Sequence, residues 1–234
     1  MTDLVLKVLG YTLIPVIAVV IGGFITAVRP PSPKVRSLVR HFAAGVVFAA
    51  AAGEILPDLV HEKSLPAVII GGAVGIAAML SLKYLGNKAQ TSSSLITTIA
   101  VDVLIDGLLI GVGFAAEAKA GILLTIALTI ELLFLSLSIS ATLSQENASW
   151  QQVMKTTLGI ALLLPFGAVI GVAFLSHLPA AILAGFLAFG LIALLYLVTE
   201  ELLVEAHETP DTPLTTGVFF VGFLLLIVIE ELLR

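Results

Sequence analysis

The chain has 234 residues, 59% hydrophobic and only 12% charged, with a formal net charge of −5 and a mean hydropathy of +1.16. Soluble domains carry about a quarter charged residues, so this composition describes an integral membrane protein. The absence of cysteine excludes disulfides and thiolate metal sites.

About 20 apolar residues cross a bilayer as a helix. By that measure an all-α integral membrane protein is expected, a single transmembrane domain over 1–234 with eight spans at 4–28, 37–60, 66–84, 93–116, 121–143, 155–176, 180–205 and 214–232. A transmembrane β-barrel would show alternation over ~10-residue segments, which is absent. The first apolar run is too long for a signal sequence, and no small-x-small cleavage site follows it. Helix-breaking and charged residues mark the loops: Arg29-Pro30-Pro31-Ser32-Pro33-Lys34, Lys63-Ser64-Leu65-Pro66, Gly86-Asn87-Lys88, Gln145-Glu146-Asn147 and Thr209-Pro210-Asp211-Thr212-Pro213. The breaks near Lys119 and at Ser176-His177-Leu178-Pro179 are short, so the helices they join should form tight antiparallel hairpins. Pro15 and Pro165 are expected to kink spans 1 and 6, and Ser92, Ser93 and Ser94 to cap span 4.

Lys and Arg placement sets orientation. Loops after spans 1, 3, 5 and 7 hold Arg29, Lys34, Arg36, Arg40, Lys83, Lys88 and Lys155, against Lys7, Lys63, Lys119 and Arg234 on the other side. This bias predicts both termini on the non-cytosolic side; the cell membrane is the expected location. It also sets the depth of the acids inside the spans. Glu54 falls in the outer third of span 2, Asp102 and Asp106 near the centre of span 4, and Glu131 near the middle of span 5. Glu200 and Glu201 lie toward the cytosolic end of span 7, so the acids form a ladder across the membrane. Glu54-Ile55-Leu56-Pro57-Asp58 and Glu201-Leu202-Leu203-Val204-Glu205 echo each other in spans of opposite direction, as inverted repeats in transporters do.

Asp102 and Asp106 are one helical turn apart and share a face. A carboxylate in hydrocarbon costs at least ~2.5 kcal/mol, so a pair of them on one face asks for a compensating partner. With Glu131 they offer oxygen ligands suited to hard or borderline divalent cations. Thr98 and Ser138 stand at helical spacings that would add neutral oxygens. Two other arrangements satisfy the same residues: protonated carboxyls hydrogen-bonded to backbone or to each other, and a proton relay. Glu200 and Glu201 point about 100° apart on a helix, so only one of them can line a path through the bundle. Glu54, Glu205 and His207 are further candidate pathway residues, the last two at the exit. Gly107-x-x-x-Gly111 and Gly167-x-x-x-Gly171 read as close-packing motifs. Thr125, Thr129, Ser136 and Ser140 form a stripe on span 5 away from Glu131, suited to back-bonding or a helix contact. No nucleophile elbow, P-loop or His-Glu-x-x-His suggests an enzyme. Both Asp on one helix argue against an intramembrane aspartyl protease. No basic cluster with interleaved aromatics suggests nucleic-acid binding.

These residues together resemble the ZIP (zinc–iron permease) family of divalent-metal transporters. His41-Phe42-Ala43-Ala44-Gly45-Val46 with Glu54-Ile55-Leu56-Pro57-Asp58 looks like that family's second helix. Pro165-Phe166-Gly167-Ala168-Val169-Ile170-Gly171 looks like its sixth, and Leu195-Tyr196-Leu197-Val198-Thr199-Glu200-Glu201-Leu202-Leu203-Val204-Glu205-Ala206-His207 like its seventh. The family's His-Asn-x-Pro-Glu-Gly pattern falls on Asp102-Val103-Leu104-Ile105-Asp106-Gly107, and its fifth-helix Glu on Glu131. Val103, Ala127, Leu128 and Leu164 stand where the family carries polar ligands, and the His-rich loop after span 3 is absent. The resemblance implies an eight-helix bundle with inverted repeats, a divalent metal ion as substrate with no required cofactor, import toward the cytosol, and a homodimer in the lipid bilayer. Three carboxylates without imidazole favour Mn²⁺, Fe²⁺ or Mg²⁺ over a His-containing site's preference, with Zn²⁺ still admissible.

Overall fold

The computed structural model describes residues 2–28, 31–61, 64–89, 92–145, 148–210 and 212–233. Among them every regular element is helical, and eight helices are long and apolar enough to cross a membrane. These are α1 (Thr2–Val28), α2 (Pro33–His61), α3 (Leu65–Ala89), α4 (Ser92–Ala116), α5 (Ala118–Gln145), α6 (Trp150–Ala173), α7 (Ala180–Ala206) and α8 (Pro213–Leu232). Their outer surfaces are apolar: Ile69, Ile70 and Leu80 on α3 and Phe220, Leu224 and Val228 on α8 are each more than half exposed. The interior holds small and hydroxyl side chains such as Ala43, Ala44, Thr12, Thr125 and Thr157. That distribution suits lipid outside and helix contacts inside. The chain is a multi-pass membrane protein.

Helix ends follow local chemistry more than composition. Ser32 caps α2, with Pro33 in the first turn. α6 begins at Trp150, ahead of the expected 155, because Ser149 and Gln152 form a capping box: Ser149 Oγ accepts from the Gln152 amide at 3.3 Å and Gln152 Oε1 from the Ser149 amide at 2.8 Å. Ser149→Ala should therefore lower stability by about 1 kcal/mol, visible as a lower melting temperature of the detergent-solubilised protein. α3 runs through the expected break at Gly86-Asn87-Lys88 to Ala89. One glycine costs a helix only about 1 kcal/mol, too little to stop a helix already propagating. α6 is interrupted at Leu162, one turn ahead of Pro165, which has no N–H to offer the Ala161 carbonyl. α1 continues as helix through Pro15. The side chains of Ser92, Ser93, Ser94 and Ser138 lie outside the described residues, as do Arg29, Lys63 and Arg234.

Two helices widen into π turns, α2 at Ala51–Ile55 and α7 at Leu197–Leu202. Pro57 follows the first and leaves the Gly53 carbonyl without its α-helical donor, which favours a wider turn there. No proline lies near the second. Each π turn carries one of the echoed acids, Glu54 in α2 and Glu201 in α7.

Helix pairing is governed by glycine. The most extensive contacts are α1 with α5, α2 with α8, α3 with α7 and α4 with α6, and at each a Cβ on glycine would overlap a backbone carbonyl. Gly22 meets Leu133, Gly45 meets Phe219, Gly222 meets Phe42, and Gly71 meets Gly185. Between α4 and α6 the contact is reciprocal: Gly107 and Gly111 face the carbonyls of Leu164 and Ala168, while Gly167 and Gly171 face those of Leu104 and Leu108. The two glycine motifs are thus halves of one crossing.

These pairs assemble into two groups. α1, α4, α5 and α6 interlock, and so do α2, α3, α7 and α8. Between the groups α5 packs on α2, with lighter contacts of α3 to α4, α8 to α5 and α7 to α4. Among the described residues the glycine-to-carbonyl crossings all fall inside a group. Across the boundary Gly190 on α7 meets the Leu109 side chain on α4, a contact that rotamer changes can adjust.

Candidate metal centre

The α4–α5 hairpin turns at Glu117, and this tight return sets the facing residues of both helices side by side. Asp102 and Asp106 from α4 meet Glu131 from α5, each offering one carboxylate oxygen so that the oxygens lie within 4.8 Å of one another. The three residues are 9%, 2% and 1% exposed. Both Glu131 oxygens and Asp106 Oδ2 are buried and accept no hydrogen bond. Among the described residues no Lys or Arg pairs with the three. Arg40, Lys83 and Lys119 have carboxylate partners elsewhere.

Two ionised carboxylates at this separation repel by roughly 3–4 kcal/mol at an effective dielectric of ~20. The cluster therefore calls for a cation or for protons. Asp106 and Glu131 are close enough to hydrogen-bond to each other once one of them carries a proton. A divalent ion would instead draw the oxygens inward to the 2.0–2.6 Å typical of carboxylate ligation. The apolar residues on the same stretches of helix, Val103, Ala127, Leu128 and Leu132, are essentially inaccessible, as is Leu164, which lies against Gly107. Thr98 is half-buried one turn before Asp102.

The stripe on α5 serves packing. Thr125, Thr129 and Ser136 donate to carbonyls of the preceding turn, at 2.7 Å to Gly121, 2.5 Å to Thr125 and 2.6 Å to Leu133. Ser136 and Ser140 lie against Gly22 and Gly23 of α1. Glu200 and Glu201 part company. Glu200 is exposed and pairs with Lys83 at 2.5 Å, whereas Glu201 is half-buried and within electrostatic reach of Asp102, Asp106 and Glu131.

The other candidate pathway residues fall into two further clusters. Glu54 meets Lys119, which also meets Glu230 of α8. At the opposite end of α2, Arg40 pairs with Glu205, donates to its backbone carbonyl at 3.1 Å and reaches Glu208 at 3.9 Å. His207 lies edge-on to His41, ring centroids 5.2 Å apart. Arg40, Lys119 and Glu230 join these clusters without a site role expected from the sequence; the only sequence signal is that each charge stands at the edge of an apolar run.

No protein-family model matches the chain, and no curated protein matches it either.

Proposed function

We propose that this protein is a ZIP-like transporter of divalent metal cations, with Asp102, Asp106 and Glu131 as the ligands. The observation that carries this reading is Glu131, a carboxylate 1% exposed whose two oxygens receive no hydrogen bond while facing two aspartates. The ion exchanges part of its water shell for these oxygens near the midplane. Alternating access follows if the group that holds the three ligands moves against α2, α3, α7 and α8. Two features support that motion: the rigid glycine crossings stay within each group, and Glu201 approaches the ligands from the opposite group. The shared π turns at Glu54 and Glu201 support the inverted-repeat relation between α2 and α7. The Lys and Arg bias supports termini outside the cytosol; by resemblance, the ion moves inward toward the cytosol and two chains form a dimer, with the cell membrane as the expected location. The substrate is of the Zn²⁺, Fe²⁺ or Mn²⁺ class, with the all-carboxylate set favouring the harder ions.

The proximity of Asp106 and Glu131 favours a second reading, in which protons occupy the cluster and the protein is a proton-coupled carrier of another substrate or a non-transporting sensor or scaffold. Uptake of radioactive Mn²⁺, Fe²⁺ and Zn²⁺ into proteoliposomes decides between them. At least one ion should accumulate well above empty vesicles, and no accumulation of any of the three would remove the metal-transporter reading.

A further inference from the structure

At the end of the bundle where α4 turns into α5, Lys119 sits between two carboxylates of the other helix group. Its Nζ is 3.0 Å from Glu230 Oε1 on α8 and 3.7 Å from Glu54 Oε1 on α2. The three side chains are largely enclosed, 19% exposed for Lys119, 18% for Glu230 and 9% for Glu54. The surroundings are shaped for them. Glu54 projects from the π turn of α2, and the adjacent Gly53 leaves space for Glu230, since a Cβ there would stand 3.1 Å from Glu230 Oε2.

Among the described residues, what separates this cluster from the other ion pairs is which helices it ties. Arg40 with Glu205 and Glu208 joins α2 to α7 and the segment after it, and Lys83 with Glu200 joins α3 to α7. Both stay inside one group. Lys119 belongs to α5, the helix that carries Glu131, and its partners belong to α2 and α8. Along α5 the ammonium's helix position is about 18 Å from Glu131 at 1.5 Å per residue, so it is no part of the ligand set.

We propose that Lys119, Glu54 and Glu230 form a charge latch that holds the ligand-bearing group closed against α2 and α8 and opens when the groups move apart. Separation would break both ion pairs among largely enclosed charges, which is strongly unfavourable until water reaches them. The closed and open arrangements are therefore distinct states. The latch takes its purpose from the transport reading, but its state is measurable without transport.

Because the chain has no cysteine, single labels can be placed without background. Spin labels at Ala116→Cys and Leu232→Cys, in lipid nanodiscs without added metal, report the distance between the α4–α5 turn and the end of α8. The parent should give one dominant distance. Lys119→Met should add a longer population enriched at least several-fold, Glu54→Gln with Glu230→Gln should do the same, and Lys119→Arg should restore the parent distribution. An unchanged distribution in folded Lys119→Met overturns the latch. Should that variant fail to fold, Lys119→Glu combined with Glu230→Lys rebuilds the pair in reverse. A parent-like distance then supports the latch, and an open distance or failure to fold overturns it. Failure here leaves the metal site untouched, since no ion is present, and absent uptake by a protein whose latch opens as described overturns the transport reading alone.

Discussion

Glu131→Gln is expected to weaken divalent-cation binding, lowering affinity for Mn²⁺ by on the order of 100-fold or more in calorimetric titration of the purified protein. Loss of a partner one shell out from a metal costs 10–100-fold, and Glu131 would be a direct ligand. Gln keeps the shape but removes one of three charges and places an NH₂ where an oxygen would ligate. Asp106→Asn should behave alike, being 2% exposed with an unpartnered oxygen in the same cluster. The informative control is Glu200→Gln. Glu200 is likewise a glutamate within a span, but it is exposed and occupied by Lys83, so ion affinity should stay within about twofold of the parent; the exposed pair itself is worth only ~0–1 kcal/mol. Thermal stability without metal separates lost ligation from lost fold. Removing one of three clustered acids relieves repulsion, so the ion-free Glu131→Gln protein should melt no lower than the parent. Unaltered Mn²⁺ affinity in that variant would dismiss the assigned centre, whatever transport assays gave.

The spans were legible because a bilayer imposes a length and an apolar composition that few other environments require. Asp102 and Asp106 were legible because helical spacing alone puts them on one face, and Glu131 because a hairpin as short as Ala116–Ala118 forces its two helices to be neighbours. Where these constraints lapse, so does legibility. Glu200 and Glu201 are adjacent, and a sequence period of 3.6 cannot decide which one turns inward when the helix widens locally into a π turn. Lys119 and Glu54 share a membrane depth but lie on helices whose adjacency only tertiary packing sets. The cap at Ser149 shifted a helix start by several residues, because a side-chain hydrogen bond can begin a helix in a polar stretch that hydropathy assigns to a loop. The Gly107 and Gly167 motifs were individually visible as close-packing signals. That they pack on each other was not, since small residues say that something approaches without saying what.

Gly107→Leu should do more damage to the fold than any conservative change in the core. A Cβ at Gly107 would overlap the Leu164 carbonyl, and the Ala168 amide nitrogen would stand only 3.1 Å away. Backbone atoms cannot rotate aside as a side chain can. Overpacking a core costs about 1–3 kcal/mol where neighbours can adjust. Here α4 and α6 would have to move apart along a crossing that also holds Gly111, Gly167 and Gly171, so a loss above ~3 kcal/mol is expected, read as a large fall in melting temperature or failure to purify as a monodisperse species. Gly10→Ala and Gly159→Ala provide the opposite case, because a Cβ at either meets nothing within 4 Å. Both should be neutral or stabilising by about 0.5–1 kcal/mol, the intrinsic helical advantage of Ala over Gly. If Gly107→Leu proved as stable as Gly10→Ala, α4 and α6 could not cross as described. Asp106 stands next to Gly107 on the same helix, so a shift of this crossing should move it relative to Glu131. Gly107→Ala, a smaller intrusion, should therefore weaken Mn²⁺ binding in whatever fraction folds, while Gly171→Ala on the partner helix, farther from the ligands, should lower stability with a smaller effect on affinity. Equal losses of affinity in the two would mean that the crossing supports the fold without setting the direction of the aspartate.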